Sequence, residues 1–200
     1  MGLFGIRYPR DVGGSGGNTT LYCIAMQELA RGLMSLAATV AMQCLMATNG
    51  LFLFGTKELH EKYLYPALKG EKKGAFQLTE PDAGSDLKAI STRATKTSDG
   101  WVINGMKTWS TSGPKADFHT VLCQTDPAKG FKGLGFFLVP KETPGFSFSK
   151  PFDLLGTRSS SISEIYFKDC HIPDHHRLGE EGRGLDVLLK ILAEIRIMTA

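Results

Sequence analysis

Apolar residues recur every three or four positions through the first third of the chain, which is the spacing of one face of an α-helix. In the first such stretch they are Leu21, Ile24, Ala25, Leu29 and Leu33. Asn18 and Thr19 precede this stretch, and their short side-chain oxygens are suited to capping a helix N-terminus. The pattern predicts that the chain is helical from about residue 18 to residue 70.

Residues 33–54 contain no charged side chain, and a stretch of this length could cross a membrane. Its Ser, Thr, Gln and Asn residues dilute the hydrophobicity, however, and no basic cluster flanks it. We therefore expect no membrane span, but a helix buried in the core or in a subunit interface. Gly50 and Gly55 are expected to break this helix, Thr56 to cap the next one, and Gly70 to end it.

The pattern changes after Gly74, where short runs of β-branched and aromatic residues alternate with turn residues. Asp99-Gly100 and Asn104-Gly105 favour tight hairpin turns, because such turns need a positive φ. Further strands are expected at 120–124, 134–139, 146–149 and 162–167. No helical period separates these strands, so we predict an antiparallel β-barrel or β-sandwich.

Helical spacing returns at Gly184 and continues to the last residue, Ala200, without a stop signal. We therefore expect the chain to be a truncated protein. The predicted fold class is α+β. Its expected parts are a partial N-terminal helical bundle at 1–73, a β domain at 74–180 and the first helix of a C-terminal helical domain at 181–200.

Composition and charge narrow the functional classes only a little. The 200 residues are 42% hydrophobic and 22% charged, as in an ordinary globular protein, and the net charge of +3 is too small to argue for a nucleic-acid partner. The four cysteines are far apart, which favours free thiols over a zinc or redox motif. His171, His175 and His176 lie in a loop that does not fix their spacing, so we expect no metal site.

Two segments carry the strongest functional signal. Residues 76–86 read FQLTEPDAGSD, and residues 104–113 read NGMKTWSTSG. In this order and at this separation they resemble the two flavin-binding signatures of the acyl-CoA dehydrogenase family. Weaker matches at 9–16, 155–158 and 171–173 extend the resemblance along the chain, which corresponds to about the first half of such an enzyme.

The resemblance implies FAD as cofactor and α,β-desaturation of an acyl-CoA thioester, with hydride transfer to flavin N5, in fatty acid or amino acid catabolism. It implies these cofactor-binding residues: Phe76, Leu78, Thr79, Gly84, Ser85, Trp109, Ser110 and Thr111. Ser85 and Arg196 would also contact the CoA moiety. The expected partners are electron-transfer flavoprotein and further copies in a homotetramer. The expected location is the bacterial cytoplasm or the mitochondrial matrix.

The residue types suit these implied roles. Trp109 offers a large rigid face for stacking on the isoalloxazine ring, although an aromatic strand residue on its own more often packs in a core. Thr79 and Thr111 carry hydroxyls that can donate to ring atoms. Gly84 lets backbone N–H groups approach the pyrophosphate, and Ser110 would contribute a main-chain contact.

The catalytic base is the main departure from the family pattern. In most members it is a Glu that would lie beyond Ala200. In a subclass it directly precedes the arginine that corresponds to Arg196, and Ile195 stands there in this sequence. Glu194 is one residue away, which turns it by about 100° on a helix. We therefore expect no catalytic residue in this chain, and no activity from the chain alone.

Two alternatives share the same sequence features. Acyl-CoA oxidases and some flavin monooxygenases use this scaffold and let oxygen reach the reduced flavin. A dehydrogenase-like protein could also serve as a non-catalytic binding or assembly module. The sequence leaves the acyl chain length and the choice between these functions open.

Overall fold

The computed structural model describes residues 2–198, and helices occupy both ends of this range. The helices are α1 (Thr19–Gly32), α2 (Met34–Phe54), α3 in three consecutive segments (Lys57–Leu59, His60–Leu64 and Tyr65–Lys69) and α4 (Gly184–Met198). Short 3₁₀ turns lie at Leu3–Gly5, Arg10–Val12, Leu87–Ala89, Gly113–Lys115, Pro127–Gly133, Arg158–Ser160 and Asp174–His176.

The predicted helix ends are confirmed except at Gly50. The Asn18 side chain accepts a hydrogen bond from the backbone N–H of Leu21 at 2.9 Å, and Gly70 ends α3 with φ 85°. Gly55 ends α2 in an extended conformation. Gly50 instead lies inside α2, where a Cβ would come within 2.7 Å of Ile191 Cδ1. The glycine therefore permits the close approach of α4.

Helix α2 is largely a core element. By length and composition alone it could cross a membrane, and 56% of its most apolar window is buried inside the chain. Cys44, Leu45 and Leu51 are all 0% exposed. Packing against the rest of the chain thus accounts for a helix without charged residues.

Eight strands form one sheet, and their bounds are β1 (Gly74–Gln77), β2 (Arg93–Lys96), β3 (Gly100–Ser110), β4 (Phe118–Gln124), β5 (Leu134–Pro140), β6 (Phe146–Phe148), β7 (Ser163–Pro173) and β8 (Arg177–Leu178). The strand order is β6-β7-β3-β2-β4-β5-β8, and β1 also pairs with β4. The start of β4 is bonded to β1, and its last residue is paired with β2.

The α+β class and the order of helices, sheet and helix are confirmed, while two details of the sheet differ from the prediction. The sheet is mixed, because β1 pairs with β4 in parallel. β2 also runs parallel to β4 and β3 runs antiparallel to β2, so the chain reverses direction twice between β2 and β4, which local turn signals could not reveal. The sheet is also not closed, since β6 and β8 lie at opposite ends of the strand order.

The sheet curls and separates two hydrophobic clusters. One cluster joins the helices to one face of β4 and β5, and it includes Leu45, Phe118 and Leu188. The other lies inside the curl, where the Trp101 ring of β3 is 5.1 Å from the Phe137 ring of β5. One curled sheet thus gives the two-layered core expected of a sandwich.

One predicted hairpin turn is confirmed and the other is wrong. The Asp99-Gly100 turn joins β2 to β3, with the Thr97 N–H donating to the Gly100 carbonyl at 2.9 Å. Asn104-Gly105 lies inside β3, which continues through it to Ser110. Gly105 has φ 140°, and a Cβ there would meet Thr92 Cα at 2.7 Å. This glycine permits a close backbone approach and does not form a turn.

Candidate functional site

A cavity of about 290 Å³ lies where α2, β1, β3 and α4 meet. Five residues predicted to bind the cofactor line it: Phe76, Leu78, Thr79, Trp109 and Thr111. The other lining residues are Met42, Met46, Thr108, Leu192 and Ile195. The fold therefore brings the two sequence signatures to one place, with an apolar wall and hydroxyl groups around one indole.

The first signature reaches the cavity as an extension of β1. Phe76 is paired with Thr120 of β4, and its ring is stacked on Phe136 at 5.6 Å with an interplanar angle of 29°. Beyond the strand, the Thr79 carbonyl accepts a hydrogen bond from the Thr108 N–H at 2.9 Å. This bond ties the first signature to the second beside Trp109.

The second signature contains an extra residue at Trp109. On β3, Lys107 is paired with Ile165 and Ser110 with Ser163, so three steps along β3 face two steps along β7. This is a β-bulge. Trp109 sits in it with φ 56°, a left-handed conformation that costs a bulky residue about 1–3 kcal/mol. Such strain is typical of functional sites.

The indole of Trp109 is held partly free of the core. The residue is 59% exposed, and its ring lies 5.1 Å from Phe152. Trp101, the other tryptophan, is 2% exposed and donates from Nε1 to Asp174 at 2.8 Å. Trp101 is therefore a core residue, whereas Trp109 offers a ring surface for a flat ligand.

A second bulge of opposite sense lies further along the same ladder. Between Ile103 and Gly105 the extra residue is on β7, at Asp169, which has φ 50°. The Asn104 side chain donates to the Asp169 carboxylate at 3.1 Å and accepts from the Asp169 N–H at 2.9 Å. Because each strand carries one extra residue, the register beyond the two bulges is the same as before them.

A buried ion pair supports the cavity wall from behind. Lys107 Nζ donates to Glu80 Oε1 at 2.7 Å and to the Leu78 carbonyl at 3.1 Å, and the two charged side chains are 0% and 2% exposed. The Glu80 carboxylate also accepts from Ser91 and Thr92. Burial alone would raise the pKa of Glu80, but Lys107 and the hydrogen bonds outweigh burial and lower this pKa to about 2.

Three predicted cofactor residues and the predicted CoA arginine do not line the cavity. Gly84 and Ser85 are exposed in the turn after Glu80, and a Cβ at Gly84 would meet no atom within 4 Å. Ser110 is buried, and its hydroxyl accepts a hydrogen bond from Gln77 at 2.5 Å. Arg196 is exposed on α4. The assignments of these four residues stay predictions.

Helix α4 turns Ile195, and not Glu194, toward the cavity. The Glu194 carboxylate forms an ion pair with Arg7 and accepts a hydrogen bond from Asn49 Nδ2 at 3.2 Å. No acidic residue is among those that line the cavity within residues 2–198. The described part of the lining therefore offers a ligand apolar side chains and hydroxyl groups, but no carboxylate.

Sequence reasoning missed the residues that the helices contribute. Met42 and Met46 are four residues apart on α2, and Leu192 and Ile195 are three apart on α4, so each pair shares one helix face. Helical spacing could have grouped them. Because α2 carries no charged residue on any side, however, its pattern does not indicate which face meets a ligand.

A second cavity of about 370 Å³ has a basic lining. It is bounded by Lys88, Ile90, Ser91, Arg93, Gln124, Pro127, Gly130 and Phe131. Lys88 follows Ser85 by three residues, so the turn that leaves the first signature leads into this cavity. Two cations beside an aromatic ring suit a ligand that carries phosphate. Among residues 2–198, no group of three or more His, Cys, Asp or Glu residues could hold a metal ion.

Comparison with known domain families gives two matches that together cover most of the chain. The acyl-CoA dehydrogenase N-terminal domain matches residues 1–71, and the acyl-CoA dehydrogenase middle domain matches residues 75–170. The chain is 49% identical over 200 residues to benzylmalonyl-CoA dehydrogenase of Aromatoleum aromaticum. The alignment covers all of this chain and 52% of that protein.

Solved structures agree with these matches. Butyryl-CoA dehydrogenase from Megasphaera elsdenii superposes with a TM-score of 0.94 at 37% identity, over 98% of this chain and 52% of that one. A glutaryl-coenzyme A dehydrogenase in complex with glutaryl-CoA gives a TM-score of 0.94 at 32% identity, over 98% of this chain and 50% of that one. The chain spans about half the length of these relatives. It belongs to the acyl-CoA dehydrogenase family.

Proposed function

We propose that this chain is the flavin-holding part of an FAD-dependent acyl-CoA dehydrogenase, which desaturates an acyl-CoA thioester between its α and β carbons. The observation that carries this proposal is that Thr79, Trp109 and Thr111 line one cavity. Family membership adds the reaction class. Its relatives are named for butyryl-CoA, glutaryl-CoA and benzylmalonyl-CoA, so an acyl-CoA is the substrate class proposed here.

The residues present fit an isoalloxazine ring. Phe76 and Leu78 form an apolar wall on the first signature, and Trp109 adds an exposed indole on the second. Within residues 2–198, the hydroxyls of Thr79 and Thr111 form no hydrogen bond, so both can donate to a ligand. When bound, FAD supplies the acceptor for the substrate hydride.

The chain's own residues would bind the isoalloxazine ring, orient it and exclude water from it. Trp109 would hold the ring by stacking, and the hydroxyls of Thr79 and Thr111 would orient it through hydrogen bonds. Met42 and Met46 of α2 also line the cavity, and their apolar side chains would help to exclude water from the ring. Proton removal from the substrate α carbon falls to a carboxylate outside residues 2–198.

The phosphate groups of FAD and of CoA need separate binding sites that offer cationic side chains or backbone N–H groups. Gly84 and Ser85 form an open turn that suits the FAD pyrophosphate, and Ser85 also suits contact with CoA. Lys88 and Arg93 line the basic cavity next to this turn, which suits the nucleotide phosphates of CoA. Arg196 is a further candidate for these phosphates.

The proposed partners and location follow from the relatives. Electron-transfer flavoprotein would reoxidise the flavin, and further copies of the protein would complete a homotetramer. Similar proteins occur in bacteria and, by name, in mitochondria. The proposed location is therefore a bacterial cytoplasm or a mitochondrial matrix.

The test is flavin reduction in the full-length protein. Flavin should copurify, and one of butyryl-, glutaryl- or benzylmalonyl-CoA should bleach its visible band without oxygen. Free CoA, which lacks an acyl group, is the control and should not. A protein without flavin, or a flavin that no acyl-CoA reduces, would contradict the proposal. Stoichiometric peroxide in air would indicate an oxidase.

A second test concerns the residues 1–200 alone. They should show no turnover with an acyl-CoA and a dye acceptor, because no carboxylate lines the cavity among the residues that the structure describes. Activity that Glu194→Ala abolishes would contradict this expectation, since it would mean that α4 turns Glu194 toward the substrate.

A further inference from the structure

Three buried polar side chains from three different strands lie in a chain next to the bulge at Trp109. They are Gln77 of β1, Ser110 of β3 and His119 of β4, and each is at most 1% exposed. Gln77 Nε2 donates to Ser110 Oγ at 2.5 Å and to His119 Nδ1 at 3.0 Å. None of the three lines the cavity.

The direction of these hydrogen bonds follows from the atoms involved. With the Gln77 amide nitrogen as the donor, His119 Nδ1 accepts and the ring carries its proton on Nε2. Burial, with a smaller effect from Lys141, lowers the pKa of His119 to about 3, which keeps the ring neutral. His119 and Ser110 are thus joined through one nitrogen of the Gln77 amide, while His119 Nε2 and Gln77 Oε1 are buried without a hydrogen-bond partner within residues 2–198.

The segment that carries Gln77 holds the bulge on both sides. Before Trp109, the Thr108 N–H donates to the Thr79 carbonyl at 2.9 Å. After Trp109, the Gln77 side chain donates to the Ser110 hydroxyl at 2.5 Å. Trp109 lies between these two attachment points in its left-handed conformation. A strained residue persists only where its surroundings over-determine it, and the two bonds do so here.

We propose that Gln77 and Ser110, oriented by His119, are positioning residues whose hydrogen bond holds the Trp109 indole toward the cavity. The inference rests on the proposed function, because the orientation of the indole matters for a ring that stacks on it. Without the Gln77–Ser110 bond, one side of the bulge is released. Trp109 can then relax from φ 56° to an ordinary strand conformation, and the indole turns away from Thr79.

The first experiment reads the conformation of Trp109 and needs no flavin. The full-length protein is labelled with 5-fluorotryptophan, and the fluorine resonance of residue 109 is assigned with Trp109→Phe. Ser110→Ala and Gln77→Leu should each shift or split this resonance and leave that of Trp101 in place. His119→Phe should also shift or split the Trp109 resonance. If this variant leaves the Trp109 resonance unchanged, His119 has no role in positioning the indole.

Ser163→Ala is the matched control. Ser163 is 0% exposed, faces Ser110 in the β3–β7 ladder, and its hydroxyl has no hydrogen-bond partner within residues 2–198. The substitution therefore removes the same atom at the same depth without touching the bond to Gln77. An unchanged Trp109 resonance in both Ser110→Ala and Gln77→Leu, or an equal shift in Ser163→Ala, would overturn the proposal.

The second experiment separates this proposal from the proposed function. In flavin-loaded protein, Ser110→Ala should lower kcat about tenfold with little change in KM, because a misplaced ring costs reactivity more than substrate binding. Ser163→Ala should keep the wild-type kcat. If the wild-type protein binds no flavin, the proposed function fails, and the fluorine resonances still decide whether the bond positions Trp109.

Discussion

The two bulges between β3 and β7 meet the same geometrical need with different residues. At Asp169 the extra residue is of a type that enters the left-handed region easily, and Asn104 bonds it in an exposed setting. At Trp109 it is a bulky aromatic residue, held by buried groups on a neighbouring segment. Both restore the register, but strain is concentrated at Trp109, beside the cavity. The costly bulge is the one that a ligand would use.

The largest expected effect comes from breaking the buried ion pair of Lys107 and Glu80, which lies next to the bulge at Trp109. Lys107→Met should lower the free energy of unfolding by about 3–5 kcal/mol, because Glu80 would stay buried without its counter-charge. Urea unfolding measures this loss. Lys96→Met is the control, since it breaks an exposed pair with Glu181 and should cost less than about 1 kcal/mol. Equal losses would contradict the difference between the two settings.

The Glu80 carboxylate should also make the free energy of unfolding depend on pH. Glu80 has a folded pKa of about 2 against an ordinary value of 4.5. Its stabilisation is complete above pH 4.5 and is lost as the pH falls toward 2, by about 3 kcal/mol in all. Urea unfolding at several pH values should show this slope in the wild type and a weaker one in Glu80→Gln. Identical slopes would mean that other carboxylates dominate.

Trp109→Gly tests the strain directly. Glycine accepts φ 56° at little cost, so relief of strain should offset the lost contact with Phe152. We expect the free energy of unfolding to fall by less than about 1 kcal/mol, whereas Trp101→Ala in the core should cost about 3–5 kcal/mol. Flavin binding by Trp109→Gly should weaken about tenfold, because the stacking surface is gone. A large loss of stability at Trp109 would show that the residue serves packing.

The smallest effect is expected at the other bulge. Asn104→Ala removes two hydrogen bonds to Asp169 that water can replace, so the free energy of unfolding should fall by about 0.5–1 kcal/mol. Flavin content should not change, because Asn104 lies away from the cavity. Loss of flavin in this variant would show that the two bulges are coupled through β3.

Local sequence signals predicted the helices well because each signal acts within one or two turns. Asn18 caps α1 and Gly70 ends α3, and each does so through contacts with its nearest neighbours in the chain. The sequence favours a helix break at Gly50 and a turn at Gly105, because a glycine allows these conformations. In the structure each makes room for a distant residue, Ile191 or Thr92, and no local pattern encodes that contact.

The candidate site could be predicted in part for a related reason. The two signatures contain Thr79, Trp109 and Thr111, and the family pattern was enough to group them. The parallel pairing of β1 with β4, the buried Lys107–Glu80 pair and the α2 side of the cavity depend on long-range packing. Contacts between residues far apart in the chain leave no local pattern in the sequence, so the sequence alone does not predict these features.

A crystal structure of the flavin-loaded full-length protein is the most direct test of the proposed cavity. The isoalloxazine ring should lie against the Trp109 indole at about 4 Å, with the Thr79 and Thr111 hydroxyls about 3 Å from ring nitrogen or oxygen atoms. A flavin bound elsewhere, or one whose ring contacts neither Trp109 nor Thr79, would contradict the proposal.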